Sequence, residues 1–206
     1  MTVIRWERED TGPVVERIVH EFEEGRPVIL PTETLYGIAA PISSGRAMRT
    51  IFKLKKRPEE MTLPVAVGAL HQLDALVRIH RWQKTSLRSN LPGPVTFIME
   101  SKQKLPPEVE REGTVAVRVP RHPVFLELTK KCGPLGLTSA NLHGDDEIMK
   151  AGDINDLFRG ELLVVEDDAT LGGEASAILD ITEKTPRILR KGNVFIEGPM
   201  RDEHGR

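Results

Sequence analysis

Apolar residues in this chain come in short runs closed off by proline and glycine. Val28-Ile29-Leu30 is boxed by Pro27 and Pro31, and the apolar run at 95–99 follows Leu91-Pro92-Gly93-Pro94. Fifteen prolines and 17 glycines in 206 residues, placed this way, limit the chain to short strands and short helices. Proline removes a backbone donor, and glycine weakens the interior of either element. No run of 18 apolar residues occurs, so a membrane-spanning helix is not expected. The opening MTVIRWEREDTG carries charges where a secretion signal needs an apolar core. Cys132 is the sole cysteine, which rules out an intrachain disulfide and a cysteine-based zinc site and fits a reducing compartment. A soluble cytoplasmic protein is the expectation.

Periodicity supplies the elements. Val14, Val15, Ile18, Val19 and Phe22 recur at helical spacing, so 11–25 reads as a helix with Thr11 as N-cap and Gly25 as stop. A second helix is expected over 46–56, ended by Pro58, and others over 72–90 and 123–131, with a helical turn over 154–158. Strands are expected at 28–30, 65–68, 95–99, 114–119, 135–140 and 162–166. A closing hairpin is expected from 177–181 and 187–190. Seven or more short strands in irregular order with about four helices predict an α/β chain built on a mixed sheet with helices packed on it. The polar tail from Gly198 is expected to fray.

Charge narrows the chemistry. Lys plus Arg is 29 against 31 acids, a formal net charge of −2, which excludes a binder working through bulk positive charge. Yet residues 46–57 hold Arg46, Arg49, Lys53, Lys55, Lys56 and Arg57 and no acid. Such a run is either a solvated helix face or an anion site. If Pro58 holds Arg57 extended, Lys55 and Arg57 point the same way, a point charge beside a planar fork suited to polyphosphate. Thr114, Ala116 and Arg118 share one face of a strand whose other face is valine, so Arg118 sits at a sheet end or lines a pocket. Thr138-Ser139-Ala140-Asn141 leaves a buried strand, as turn chemistry or as a place where ligand meets backbone. Gly172-Gly173 before the strand at 177 is either a flexible loop or an anion nest. The six histidines are scattered, and His143 alone falls in a candidate site loop. Walker, Rossmann, zincin and serine-hydrolase signatures are missing.

Seven motifs in order carry a resemblance. Pro31-Thr32-Glu33-Thr34-Leu35-Tyr36-Gly37, Lys55-Lys56-Arg57-Pro58, Leu91-Pro92-Gly93-Pro94-Val95-Thr96, Val117-Arg118-Val119-Pro120, Thr138-Ser139-Ala140-Asn141, Ser176-Ala177-Ile178-Leu179-Asp180 and Ile188-Leu189-Arg190-Lys191-Gly192 resemble those of the YrdC-like family over about residues 10–195. The resemblance implies one α/β domain over 1–206, a twisted mixed sheet with a concave basic face. It implies synthesis of L-threonylcarbamoyladenylate and pyrophosphate from threonine, bicarbonate and ATP, for modification of adenosine 37 in tRNA. By resemblance, Thr34, Arg118, Thr138 and Ser176 hold threonine, with Arg118 forking its carboxylate. Lys55 and Arg57 are the catalytic pair on the phosphates, and Thr114, Ser139, Ala140, Asn141 and Arg190 meet the nucleotide. Mg²⁺ enters with ATP, with no protein metal ligand and no organic cofactor. The product reaches tRNA directly or through a downstream transferase complex, away from any membrane.

Two departures bear on the substrate. Where the family often has Asn and His, this chain has Met61 and Ala66, and His143 stands where a Ser is usual. The first two concern amino-acid specificity. Two other readings are an RNA-binding module without nucleotidyl transfer, and a synthase of a different carbamoyl-adenylate. The intact Lys55 and Arg57 favour the threonine enzyme over the RNA module.

Overall fold

The computed structural model describes residues 2–58, 60–142 and 148–192. In chain order the elements are β1 (Thr2–Arg5), α1 (Gly12–Glu23), β2 (Val28–Leu30), β3 (Gly37–Pro41), α2 (Gly45–Lys55), β4 (Val65–Ala66), α3 (Lys84–Asn90), β5 (Val95–Glu100) and β6 (Glu110–Arg111). Then follow β7 (Thr114–Arg118), α4 (Pro123–Cys132), β8 (Leu135–Ser139), α5 (Ala151–Leu157), β9 (Leu163–Glu166), β10 (Ala177–Asp180) and β11 (Arg187–Arg190). The strands form one mixed sheet in the order β1-β9-β2-β3-β8-β4-β7-β5-β10-β11, with β6 added to β7. The mixed α/β architecture is the one expected.

The sheet is covered on both sides, which explains why β2 is apolar at every position. Ile29 faces a core shared with Ile38, Met48 and Ile51 of α2, whereas Val28 and Leu30 face one shared with Ile18, Phe22 and Leu128 of α1 and α4. β7 shows the alternation its sequence promised, with Val115 and Val117 buried and Thr114 and Ala116 partly open. His122 caps α4, its Nδ1 accepting from the Val124 N–H at 3.2 Å. Thr11 occupies the N-cap of α1 but makes no side-chain cap bond, and Pro within the first two positions sets the entry instead.

The structure departs from the sequence reading at β1, β3, the stretch 72–90, the end of β4 and the end of α2. β1 and β3 had no alternating apolar signal. β1 is a short edge strand carried by parallel pairing to β9, and β3 is Gly-Ile-Ala-Ala-Pro, stabilised by antiparallel partners on both sides. The stretch 72–90 is not one helix. Leu70–Ala75 is a 3₁₀ turn, Val77 bridges to Ser101, and α3 starts only at Lys84. The Gln72 carboxamide oxygen accepts from the Gly68 and Ala69 N–H groups, stopping β4 early. Lastly, α2 ends at Lys55 because Lys56 turns left-handed (φ 50°), not because of Pro58. The tail from Gly198 and residue His143 lie outside the described residues.

Candidate active site

Sheet register places two sets of strand ends at opposite edges of one sheet, because β4 meets β8 antiparallel with Ala66 beside Leu135. The start of β3 pairs with the end of β8 (Gly37 with Ser139), and the end of β7 pairs with the end of β4 (Arg118 with Ala66). The starts of β5 and β10 pair with each other (Val95 with Ala177), and Arg190 of β11 joins Ile178. Between the two sets lies a cavity of ≈ 180 Å³ lined from both edges, by Gly37 and Ser139 on one side and Thr96 and Arg118 on the other, with Thr32, Thr34, Arg57, Ser176 and Arg190 completing its polar lining.

The loop before β3 is wired through hydroxyls. Thr32 Oγ1 accepts from the Thr34 and Leu35 N–H groups at 3.0 and 3.1 Å and donates to Leu35 O at 2.6 Å. Thr34 therefore supplies the proton in the 2.8 Å Thr32–Thr34 hydroxyl contact, which leaves its oxygen to accept from Arg118 Nη2 at 2.8 Å. That same Nη2 donates to Glu33 Oε1 at 2.9 Å, in a pair with side chains 9% and 13% exposed. Glu33 Oε2 accepts from the Arg121 N–H at 2.8 Å. Both two-pronged edges of a guanidinium run through Nη2. A bidentate carboxylate at Arg118 therefore has to displace Glu33 or Thr34. Arg118 Nε is buried and has no partner.

Gly172 and Gly173 back this loop rather than forming an open nest. The Gly172 N–H donates to Glu33 O and Thr34 O, and the Gly173 N–H donates to Thr34 O. A Cβ at Gly172 would stand 2.7 Å from Glu33 O, so the approach needs glycine. Beneath, the Tyr36 hydroxyl donates to Asp168 Oδ1 at 2.5 Å and accepts from the Asp167 N–H. Burial, then the Asp168 bond, raises its pKa far above the ordinary value.

The cations divide. Lys55 is 2% exposed and does not line the cavity. Its Nζ donates to Ser139 O, to Asn141 O at 2.6 Å and to Asn141 Oδ1 at 3.2 Å. Burial, then the Arg57 charge, pushes this ammonium down to about 8. Ser139 Oγ donates to Asn141 Oδ1 at 2.6 Å, and the Ala140 N–H donates to Tyr36 O at 2.8 Å, so the whole 139–141 turn is fixed from behind. Arg57 points elsewhere. Its Nη2 donates to Thr62 O at 2.8 Å, its Nε is buried without a partner, and burial lowers its pKa. Lys55 and Arg57 thus diverge, because Lys55 is helical and Lys56 reverses the chain. Arg190 Nε donates to Ser176 O at 2.7 Å and Nη2 to Ser176 Oγ at 3.2 Å, and Ser176 Oγ also meets Thr96 Oγ1 at 3.0 Å.

Of the residues expected at the site, Thr34, Arg57, Arg118, Thr138, Ser139, Ser176 and Arg190 line one cavity. Lys55, Ala140 and Asn141 build its wall from behind. Thr114 is not brought there. Its hydroxyl donates to Arg111 O, and four residues at about 3.3 Å each place it about 13 Å along β7 from Arg118. Glu33, Thr32, Tyr36 and Thr96 act at the site without having been singled out, although Glu33 and Thr32 flank Thr34 and Thr96 follows the Pro-Gly-Pro turn.

A family model described as Sua5/YciO/YrdC, telomere recombination, matches residues 20–192. A Mycobacterium leprae protein is 34% identical over 176 residues, covering 84% of this chain and 80% of that one. A Pyrococcus abyssi protein named threonylcarbamoyl-AMP synthase is 32% identical over 203 residues, covering 96% of this chain and 59% of its own length. The crystal structure of P. abyssi Sua5 complexed with L-threonine superposes with a TM-score of 0.82 at 26% identity, over 98% of this chain and 62% of that one.

Proposed function

The chain belongs to the Sua5/YciO/YrdC family, and from that premise we propose that it is a threonylcarbamoyl-AMP synthase. Several relatives at about 30% identity over most of this chain carry that name. The observation that carries the reading is the pair of buried, unpartnered guanidinium N–H groups, Arg57 Nε and Arg118 Nε, on residues lining one hydroxyl-rich cavity. A buried charged donor without an acceptor is costly, so a site built with two of them is built for anions.

The reaction needs two anions together. The threonine amine adds to bicarbonate with loss of water, giving a carbamate. A carbamate oxygen then attacks the α-phosphorus of ATP, the α–β bridging bond breaks, and pyrophosphate leaves. No enzyme nucleophile is required, so positioning and charge stabilisation supply the catalysis. Arg118, Thr34, Thr138 and Ser176 would hold threonine, the ligand with which the P. abyssi relative was crystallised. Arg57 and Arg190 would meet phosphate and nucleotide. Lys55 would act by fixing the 139–141 turn and by its field, since its ammonium is already spent on carbonyls. Magnesium would arrive on the triphosphate oxygens. The guanidiniums of the lining suit the phosphates and offer the metal no ligand, and the neighbouring Glu33 carboxylate is engaged by Arg118 and Arg121. The product would then serve tRNA threonylcarbamoylation.

The test is pyrophosphate release by the purified chain with ATP, bicarbonate and single amino acids. Release that depends on both threonine and bicarbonate is expected. Release without either, or none at all, would overturn the proposal. Ala66, fully buried where a histidine is common in the family, makes serine the informative competing amino acid.

A further inference from the structure

Beyond the first cavity lies a larger one, ≈ 460 Å³, on the outer side of α2. Arg49, Lys53, Lys56 and Arg57 supply its positive charge, and Glu108 is the one carboxylate in its lining. Phe52, 8% exposed, and Pro107 give it apolar walls. Arg49 and Lys53 lie four residues apart on one face of α2, and Lys56 follows at its left-handed C-cap, so the three line one cavity. Among the described residues none of these three makes an ion pair, although each is exposed. Cations in a last helical turn complement the macrodipole, but Arg49 stands too far upstream for that role.

Arg57 belongs to both cavities, and its Nε has no partner. We infer that the α2 cavity is a second polyphosphate site, which receives the pyrophosphate leaving the first cavity through Arg57. This rests on the adenylyl-transfer reading, which makes pyrophosphate a product. Three net positive charges face the cavity, and pyrophosphate carries roughly three negative ones near neutral pH. A continuous nucleic-acid backbone fits less well, because the Glu108 carboxylate sits in the same lining as the cations. Glu108 is held there, its carbonyl accepting from the Leu63 N–H at 2.8 Å.

Titration calorimetry of the whole chain with pyrophosphate alone tests this without turnover. Wild type is expected to bind two pyrophosphates and the double variant Arg49→Ala/Lys53→Ala one, with an unchanged unfolding midpoint, since both side chains are exposed. In the variant, pyrophosphate bound at the remaining site keeps its affinity. Wild type binding one, or a variant that still binds two, overturns the inference. So does sulfate filling the second site as tightly as pyrophosphate, which would mark a general anion patch. A variant that loses affinity for a short RNA duplex while keeping both pyrophosphates overturns it as well, in favour of a nucleic-acid face. Two pyrophosphates bound by a chain without synthase activity would support this site and sink the proposed activity, so the two failures read differently.

Discussion

Lys55 and Arg57 leave the same end of α2 two residues apart and do opposite things. The ammonium runs inward to three oxygens of the 139–141 turn and is satisfied. The guanidinium uses one of its nitrogens on Thr62 O, keeps a second buried without a partner, and touches two cavities. Three converging acceptors suit the three donors of an ammonium, whereas five donors in a rigid fork outnumber what the protein offers Arg57. One charge is committed to the shape of the wall, and the other remains available to a ligand. Proximity in sequence does not make two cations a pair.

The largest effect should come from breaking the available charge. Arg57→Ala is expected to lower kcat/KM for pyrophosphate release by roughly 10²–10³-fold, the scale for losing one charge-stabilising donor, with thermal unfolding shifted little. If activity stays near wild type, Arg57 does not meet the phosphates. Lys55→Met should invert the pattern. It removes a satisfied buried cation and strands the carbonyls of Ser139 and Asn141, so stability should fall by about 2–4 kcal/mol in urea unfolding. Equal destabilisation by both variants would abolish the distinction between them.

That distinction was only half legible in the sequence. The α/β class, the apolar faces of α1 and α2, β7 and the β10–β11 hairpin all followed from periodicity, because burial on one face leaves a regular trace. β3 did not, since its small residues are held by partners distant in sequence. The site residues fell into ordered motifs, yet their division of labour depended on one dihedral, the left-handed Lys56, which no pattern announces in a non-glycine residue. The role of Glu33 was hidden for a similar reason. It is defined by Arg118 and Arg121, 85 and 88 positions away.

Glu33 offers a sharper, smaller test. It neutralises Arg118 and takes up an Nη2 hydrogen that an incoming carboxylate needs. Glu33→Gln should leave Arg118 a nearly buried, uncompensated charge, which lowers the stability of the free chain. A substrate carboxylate relieves that cost, so threonine affinity by calorimetry should rise about fivefold, an exchange of about 1 kcal/mol. Weaker threonine binding would instead make Glu33 a positioning residue whose hold on the guanidinium matters more than its competition.

The gentlest probe is pH, and it addresses the committed charge alone. The Lys55 ammonium has its pKa pushed from 10.5 to about 8 by burial. Between those values the unfolded chain keeps a proton that the folded chain has given up. Stability therefore rises with pH across that window and is insensitive to this group below about 8, where both states are charged. Comparing unfolding of wild type and Lys55→Met from pH 7 to 10.5 isolates the contribution, since other titrations cancel in the difference. The stability gap between the two should change in favour of wild type above about pH 8. A gap that stays flat would mean the carbonyls of Ser139 and Asn141 hold the proton on Lys55 as firmly as water does, and that its burial costs the charge nothing.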